Sequence, residues 1–142
     1  TYLDPEYIDY KEGVRTTDDF GTEPYDRSGT RPGGIHSLAL STAITYSFML
    51  DNGANGYVRG DYLHESDTEI SDSFPGLSRE VGTFNASAGL LFDNGVGVKI
   101  WGRNLNNDEY LQGGFSGVAQ RGTVNSWPNQ PRTYGATVSY EF

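Results

Sequence analysis

Histidine, cysteine and clustered carboxylates are the usual carriers of metal binding and nucleophilic chemistry, and this chain supplies them sparsely. It has no cysteine, and its two histidines are His36 and His64. Neither has the near neighbours that a zinc site or a nucleophile–base pair requires. No catalytic constellation, metal site or cofactor is therefore expected, and no enzyme. Arg59-Gly60-Asp61 spells an adhesion tripeptide, but on a strand Arg59 and Asp61 simply share one face. The richest chemistry lies between Leu105 and Pro131, where Tyr110, Gln112, Phe115, Gln120, Arg121 and Trp127 stand among Gly113, Gly114, Gly117 and Gly122. Aromatic rings beside an arginine can hold an aromatic or anionic ligand such as an iron chelate. Tyr110, Gln112, Phe115, Arg121 and Trp127 are thus the candidate ligand contacts, against the plainer reading of an external loop with interfacial aromatics.

What must position that loop is a set of alternating strands. In the last eleven residues Tyr134, Ala136, Val138, Tyr140 and Phe142 fall on one face, with Thr133, Gly135, Thr137, Ser139 and Glu141 on the other. One face suits lipid and the other water, and a tilted strand of about 9 to 11 residues spans a bilayer. The same rule predicts a strand near 37 to 48, with Leu38, Leu40, Ile44, Tyr46 and Phe48 on the apolar face. It predicts another through Val58, Gly60, Tyr62 and His64, opposed by Arg59, Asp61 and Glu65. A third runs through Phe84, Ala86, Ala88, Leu90 and Phe92, and a fourth through Val96, Val98 and Ile100, opposed by Gly97, Lys99, Trp101 and Arg103. Residues 1 to 10 read as the outer end of an earlier strand. Arg59, Asp61, Lys99, Arg103 and Glu141 are costly beside lipid and suit a wet lumen or a polar plug.

Connections alternate between long and short: residues 11 to 36, 50 to 56, 67 to 81, 93 to 95 and 105 to 131. Outer-membrane barrels have short periplasmic turns and longer external loops, so this order puts the C-terminus on the periplasmic side. Asp93-Asn94-Gly95 reads as a three-residue hairpin loop with Gly95 left-handed. It would pair Phe92 with Val96, Leu90 with Val98 and Ala88 with Ile100 on the apolar face, and Gly89 with Lys99 and Ser87 with Trp101 on the other. A slip of one residue would turn Lys99 and Arg103 into lipid. Asn52-Gly53 and Asn55-Gly56 punctuate the other short turn.

Bulk properties agree with this reading. Hydrophobic residues make up 35% of the 142, too few for a large conventional core, and no run approaches the roughly 18 apolar residues of a membrane helix. The net charge of −9, without a cationic cluster, disfavours a nucleic-acid partner. Acidic residues crowd positions 1 to 26, with eight Asp or Glu against Lys11 and Arg15, and read as a solvated loop rather than a cation site. Five strands and part of a sixth cannot close the smallest common membrane barrel, which has eight. A leader is expected to have been cleaved or to lie upstream of an excerpt.

These residues resemble a family, the TonB-dependent outer-membrane receptors, in its C-terminal part. Trp101-Gly102-Arg103-Asn104-Leu105-Asn106-Asn107-Asp108-Glu109-Tyr110 resembles the penultimate strand running into an Asn-Leu-Thr-Asp-x-x-Tyr signature, with Asn106 where threonine is usual. Pro131-Arg132-Thr133-Tyr134-Gly135 with Tyr140-Glu141-Phe142 resembles the final strand, Glu141 being its departure, and Tyr2-Leu3-Asp4-Pro5-Glu6-Tyr7 resembles an earlier strand entering an external loop. The resemblance implies an all-β transmembrane antiparallel barrel of about twenty-two strands, of which residues 1 to 142 supply about the last six. It further implies the outer membrane of a Gram-negative bacterium and uptake of a ferric siderophore or similarly large nutrient. The partners implied are membrane lipid, an N-terminal plug and TonB, with the plug and the TonB box absent from these residues. It makes Tyr140 and Phe142 a signal for the barrel assembly machinery. The rival from another class is a soluble β-sandwich that binds carbohydrate through exposed tyrosine and tryptophan. A barrel hydrolase would need carboxylate or histidine pairs at the loop rims that the sequence does not assemble.

Overall fold

The computed structural model describes residues 1–16, 22–70, 77–117 and 123–141. Their regular structure is all-β and antiparallel, in nine strands. These are β1 (Gly13–Thr16), β2 (Thr22–Tyr25), β3 (Ala39–Met49), β4 (Asn55–Glu69), β5 (Ser78–Leu91), β6 (Val96–Arg103), β7 (Leu111–Ser116), β8 (Val124–Pro128) and β9 (Thr133–Tyr140). Five form one open sheet in the order β3-β4-β5-β6-β9, while β1–β2 and β7–β8 are separate two-stranded ribbons. No closed barrel forms among the described residues. By its internal contacts the chain divides into two compact units, Thr1–Ala39 with Glu65–Val81 and Glu109–Asn129, and Leu40–His64 with Gly82–Asp108 and Gln130–Phe142.

In the second unit two turns of like sequence set the register. Leu50-Asp51-Asn52-Gly53-Ala54 and Phe92-Asp93-Asn94-Gly95-Val96 fold alike, with Gly53 at φ 85° and Gly95 at φ 83°. Each glycine N–H donates to the carbonyl three residues back, Gly53 to Leu50 at 2.9 Å and Gly95 to Phe92 at 3.0 Å. The asparagine before each glycine accepts the N–H two residues ahead, from Ala54 at 3.2 Å and from Val96 at 3.1 Å. A left-handed residue after a tight turn matches the twist of the flanking strands, which is why glycine stands there. The register that follows pairs Leu90 with Val98, Ala88 with Ile100, Gly89 with Lys99 and Ser87 with Trp101, as expected from the turn. On the other side β6 pairs with β9, matching Val98 to Val138, Ile100 to Ala136, Lys99 to Thr137 and Trp101 to Gly135.

The alternation in these strands separates two surfaces, not a surface from a core. Ile44 is 72% exposed, Tyr134 79% and Val138 74%, and among the described hydrophobic residues those buried are Ala54 and Val81.

Several boundaries differ from the sequence expectation. Asn55-Gly56 does not extend the turn but opens β4, because the Leu50–Ala54 hydrogen bond has already closed the loop. β4 and β5 run to Glu69 and from Ser78, shortening the connection read as 67 to 81. The two long connections carry their own ribbons, β1–β2 and β7–β8. Of the strand expected over residues 1 to 10, only the start pairs: Tyr2 bridges Leu38, and Leu3 N–H donates to Ser37 O at 2.8 Å. Pro5 offers no N–H to continue that ladder. Beyond it the backbone turns to residues 27 to 30, with Tyr7 N–H to Thr30 O at 3.0 Å and Arg27 N–H to Tyr10 O at 2.9 Å. The Arg27 side chain, 5% exposed, lies over the Tyr7 ring and 3.8 Å from Glu69.

Candidate functional site

The ribbon β7–β8 carries the predicted ligand contacts, and its root is fixed by one buried side chain. Asn129, 7% exposed, accepts Tyr110 N–H on its Oδ1 at 3.1 Å and returns its own N–H to Tyr110 O at 2.9 Å. Above the root the register slips between Leu111 and Gly113, a bulge at Gln112. The Trp127 ring then lies against Gly113, where a Cβ would collide with it, so the close approach requires glycine. Phe115 meets Trp127 at a centroid distance of 6.2 Å, tilted by 47°. Both rings are about half exposed. Together they offer an apolar corner to solvent on the ribbon. Gln120 and Arg121 lie outside the described residues.

Beneath the bulge the first unit assembles a polar cluster that spacing along the chain does not suggest. Arg79 on β5 donates from Nη1 to the Gln112 carbonyl at 3.3 Å. Its Nη2 lies 3.3 Å from His36 Nε2 and 3.5 Å from Glu65 Oε2 on β4. His36 Nε2 is itself 3.1 Å from Glu65 Oε2, and its Nδ1 is 2.7 Å from the Ser66 carbonyl. A carbonyl only accepts, so Nδ1 is the donor in that contact. These ion-pair neighbours of His36 were not named from the sequence. Its partners are 29 and 43 positions away in sequence and meet it only through strand pairing. His64, by contrast, stacks on Tyr62 with ring centroids 6.5 Å apart. No group of metal-ligating side chains forms among the described residues.

The charges expected on one face of the second unit are found in short contacts there. Arg59 lies 3.6 Å from Asp61 and donates to Thr45 Oγ1 at 3.2 Å, while Asp61 accepts from Asn85 Nδ2 at 2.7 Å. These contacts occupy the tripeptide's charges within the sheet. Lys99 is exposed between Gly89 and Thr137. Arg103 lies over the Trp101 ring at 5.5 Å. Glu141 follows β9 and donates its N–H to Gly95 O at 2.9 Å. Tyr140 ends β9 on the apolar face, 62% exposed, and Phe142 lies outside the described residues.

The Asn-Leu-Asn-Asn-Asp stretch is a knot that closes the sheet end. Asn104, 5% exposed and at φ 49°, donates from Nδ2 to Asp108 O at 2.9 Å and Gln130 O at 3.1 Å. Its Oδ1 accepts Asp108 N–H at 2.8 Å. Asp108 in turn accepts Gly82 N–H at 2.7 Å, and Asn106 takes Phe84 N–H at 2.9 Å while donating to Gly82 O. Arg132 N–H donates to Asn107 Oδ1 at 3.3 Å. Backbone groups of Gly82 and Phe84 in β5, of Asp108 after β6 and of Gln130 and Arg132 before β9 are thereby bonded by four polar side chains within five residues. The Asn106 amide both donates and accepts across the β5 backbone.

Sequence reasoning named the segment that carries Phe115 and Trp127, as a loop, and the charges Arg59, Asp61, Lys99, Arg103 and Glu141, but missed Arg79 and Glu65 as partners of His36. No family model, curated protein or solved structure matches the chain.

Proposed function

We propose that this chain is a wall segment of an outer-membrane β-barrel of the TonB-dependent receptor kind. The observation that carries the reading is the five-stranded sheet itself, whose apolar face stands uncovered and whose outermost strands are β3, met on its outer side by Thr1 at Ala39, and β9, which pairs with β6 alone among the described residues. In water such a sheet is a template for aggregation, since it presents a broad apolar patch and two open edges. Hydrocarbon accommodates the first, and neighbouring strands of a larger barrel satisfy the second. Three strands of this sheet, β3, β4 and β5, with 11, 15 and 14 residues, are long enough to cross a bilayer.

On this reading the face with Arg59, Asp61, Lys99, Arg103 and Glu141 lines the lumen against a plug, and Tyr140 with Phe142 serves barrel assembly. The β7–β8 ribbon reaches outward, and Tyr110, Gln112, Phe115, Arg121 and Trp127 contact a ferric siderophore or similarly large nutrient whose uptake is driven through TonB. The cargo follows from the resemblance alone. A sugar-binding sandwich would need a second sheet over the apolar face to bury residues such as Ile44 and Val138.

The deciding experiment expresses the chain and follows its β-signal with and without detergent micelles or liposomes. β-structure that appears only with amphiphile, and aggregation without it, is the expected result. A soluble, cooperatively folding monomer in plain buffer would overturn the membrane reading and favour the sandwich.

A further inference from the structure

Near the two short turns, the polar face of the five-stranded sheet holds an unengaged ammonium beside bare glycines. We propose that this groove binds an organic monocarboxylate with a flat apolar body. The inference goes beyond the barrel-wall reading and does not depend on it, because every residue of the groove belongs to the second compact unit. Strand pairing sets these residues out in rows. Gly89 stands opposite Lys99, and Lys99 opposite Thr137. In the row nearer the turns Leu91 stands opposite Gly97, and Gly97 opposite Ser139. With no side chain at Gly89 the Tyr57 ring lies down on the sheet, where a Cβ would collide with it. Gly97 is bare as well, and what remains is a groove of about 720 Å³ that Ser47 and Met49 extend onto β3. Ligand pockets of roughly 300–1,000 Å³ are the usual size for small organic molecules.

Among the described residues no carboxylate lines this groove, although the chain carries a net charge of −9. Its one charged group is Lys99. The other cations of the same face are engaged, Arg59 with Asp61 at 3.6 Å and Arg103 over the Trp101 ring. Lys99 is exposed and forms no ion pair among the described residues. The hydroxyls of Ser47, Tyr57, Thr137 and Ser139 line the same groove and can donate to an oxyanion. Two apolar side chains interrupt the polar character of this face, Met49 at 72% exposed and Leu91 at 39%, and both line the groove. The ammonium and the hydroxyls suit a carboxylate, and Met49, Leu91 and the Tyr57 ring suit an apolar body beside it. A single cation in an acidic chain also limits the charge that can be held. A dianion would bring a second negative charge, without a partner, into a field that repels it.

The test uses the full chain in micelles of a neutral detergent. Naphthoate is the probe, naphthamide its uncharged counterpart and inorganic phosphate the small dianion. Binding is measured by equilibrium dialysis against matched empty micelles, and isotope-labelled lysine reports its place by NMR, since Lys11 and Lys99 are the only lysines. Naphthoate should shift the Lys99 signal saturably and leave that of Lys11, which lies 3.7 Å from Asp9, where it is. Naphthamide and phosphate should bind about five-fold more weakly than naphthoate. Lys99→Gln should weaken naphthoate by about five-fold, while Lys99→Arg keeps it within about two-fold. Leu91→Ser should weaken it by about three-fold through lost apolar contact. Equal naphthoate affinity in Lys99→Gln or in Leu91→Ser, equal shifts at both lysines, or phosphate bound as tightly as naphthoate would overturn the proposal. The β-signal in the same micelles keeps such a failure distinct from a failure of the membrane reading.

Discussion

Asn104→Ala removes the centre of the knot, and its cost can be assembled from two separable parts. The side chain makes three hydrogen bonds, to Asp108 O, Gln130 O and Asp108 N–H, from a position only 5% exposed. Each contributes about 1 kcal/mol net, and somewhat more where the abandoned backbone group stays out of reach of water. Gln130 is exposed and Asp108 half-buried, so water can rescue part of the loss, leaving about 2–3 kcal/mol for this part. The second part is the left-handed backbone at φ 49°, which asparagine tolerates and alanine resists by about 1 kcal/mol. Asn104→Gly loses the hydrogen bonds but keeps the backbone at ease. The expected order of stability is therefore parent, then glycine, then alanine, with Asn104→Ala down by about 3–4 kcal/mol and Asn104→Gly about 1 kcal/mol better. Urea unfolding in micelles, read from Trp101 in a Trp127→Phe background, measures all three. A knot that matters only as a sequence signature would leave Asn104→Ala within about 0.5 kcal/mol of the parent, the ordinary range of surface changes. An alanine variant as stable as the glycine variant would refute the backbone half of the reasoning.

Gly95→Ala should destabilise the β5–β6 hairpin by about 1–2 kcal/mol from its positive φ alone, and further because the new Cβ meets Glu141 O. Gly53→Ala faces the Asp93 carboxylate, a side chain that can move, so in the same urea assay it should cost less than Gly95→Ala. Asp26 supplies the pH-dependent case: hydrogen bonds from the Ser28 hydroxyl and backbone N–H hold its carboxyl below the usual range, and Ser28 N–H to Asp26 Oδ1 is 2.9 Å. Because the folded pKa is depressed, the turn after β2 is supported at pH above the unfolded carboxylate value and loses that support as pH falls through the folded one. Slowed amide exchange at Ser28 should accordingly fade only in strong acid, and Asp26→Asn should weaken that pH dependence. An exchange profile identical in the two proteins would refute it.

How much of this was legible depended on the range over which each feature is determined. A hairpin register is fixed by a few adjacent residues, so Asp93-Asn94-Gly95 with the flanking alternation was enough to pair Leu90 with Val98 and Gly89 with Lys99. The β7–β8 ribbon was read as a loop because Gln112-Gly113-Gly114 has poor strand propensity. It pairs nonetheless because Asn129 closes its root and Trp127 packs on Gly113. The His36 cluster was invisible for a different reason. Whether Glu65 and Arg79 meet depends on the β4–β5 pairing, and the connection between those strands contains no short turn from which a register could be counted.

Those two kinds of feature bear differently on function. A two-faced sheet by itself selects no ligand, since its alternation answers only to an apolar environment on one side and a polar one on the other. Specificity has to come from parts that alternation does not prescribe, and in this chain those parts are the bulge at Gln112, the open corner of Phe115 and Trp127, and the arginine that ties the bulge to a histidine. The arginine reaches from the bulge to His36 and Glu65, and so ties the aromatic ribbon to β4. Replacing Arg79 with Lys tests that tie. An ammonium can still pair with Glu65, but it lacks the guanidinium's two ends for spanning Glu65 and Gln112 at once. Trp127 in Arg79→Lys should be more open to acrylamide quenching than in the parent at the same pH, while β-structure and the His36–Glu65 pair remain; quenching equal to the parent's would show that the bulge is held by something other than Arg79.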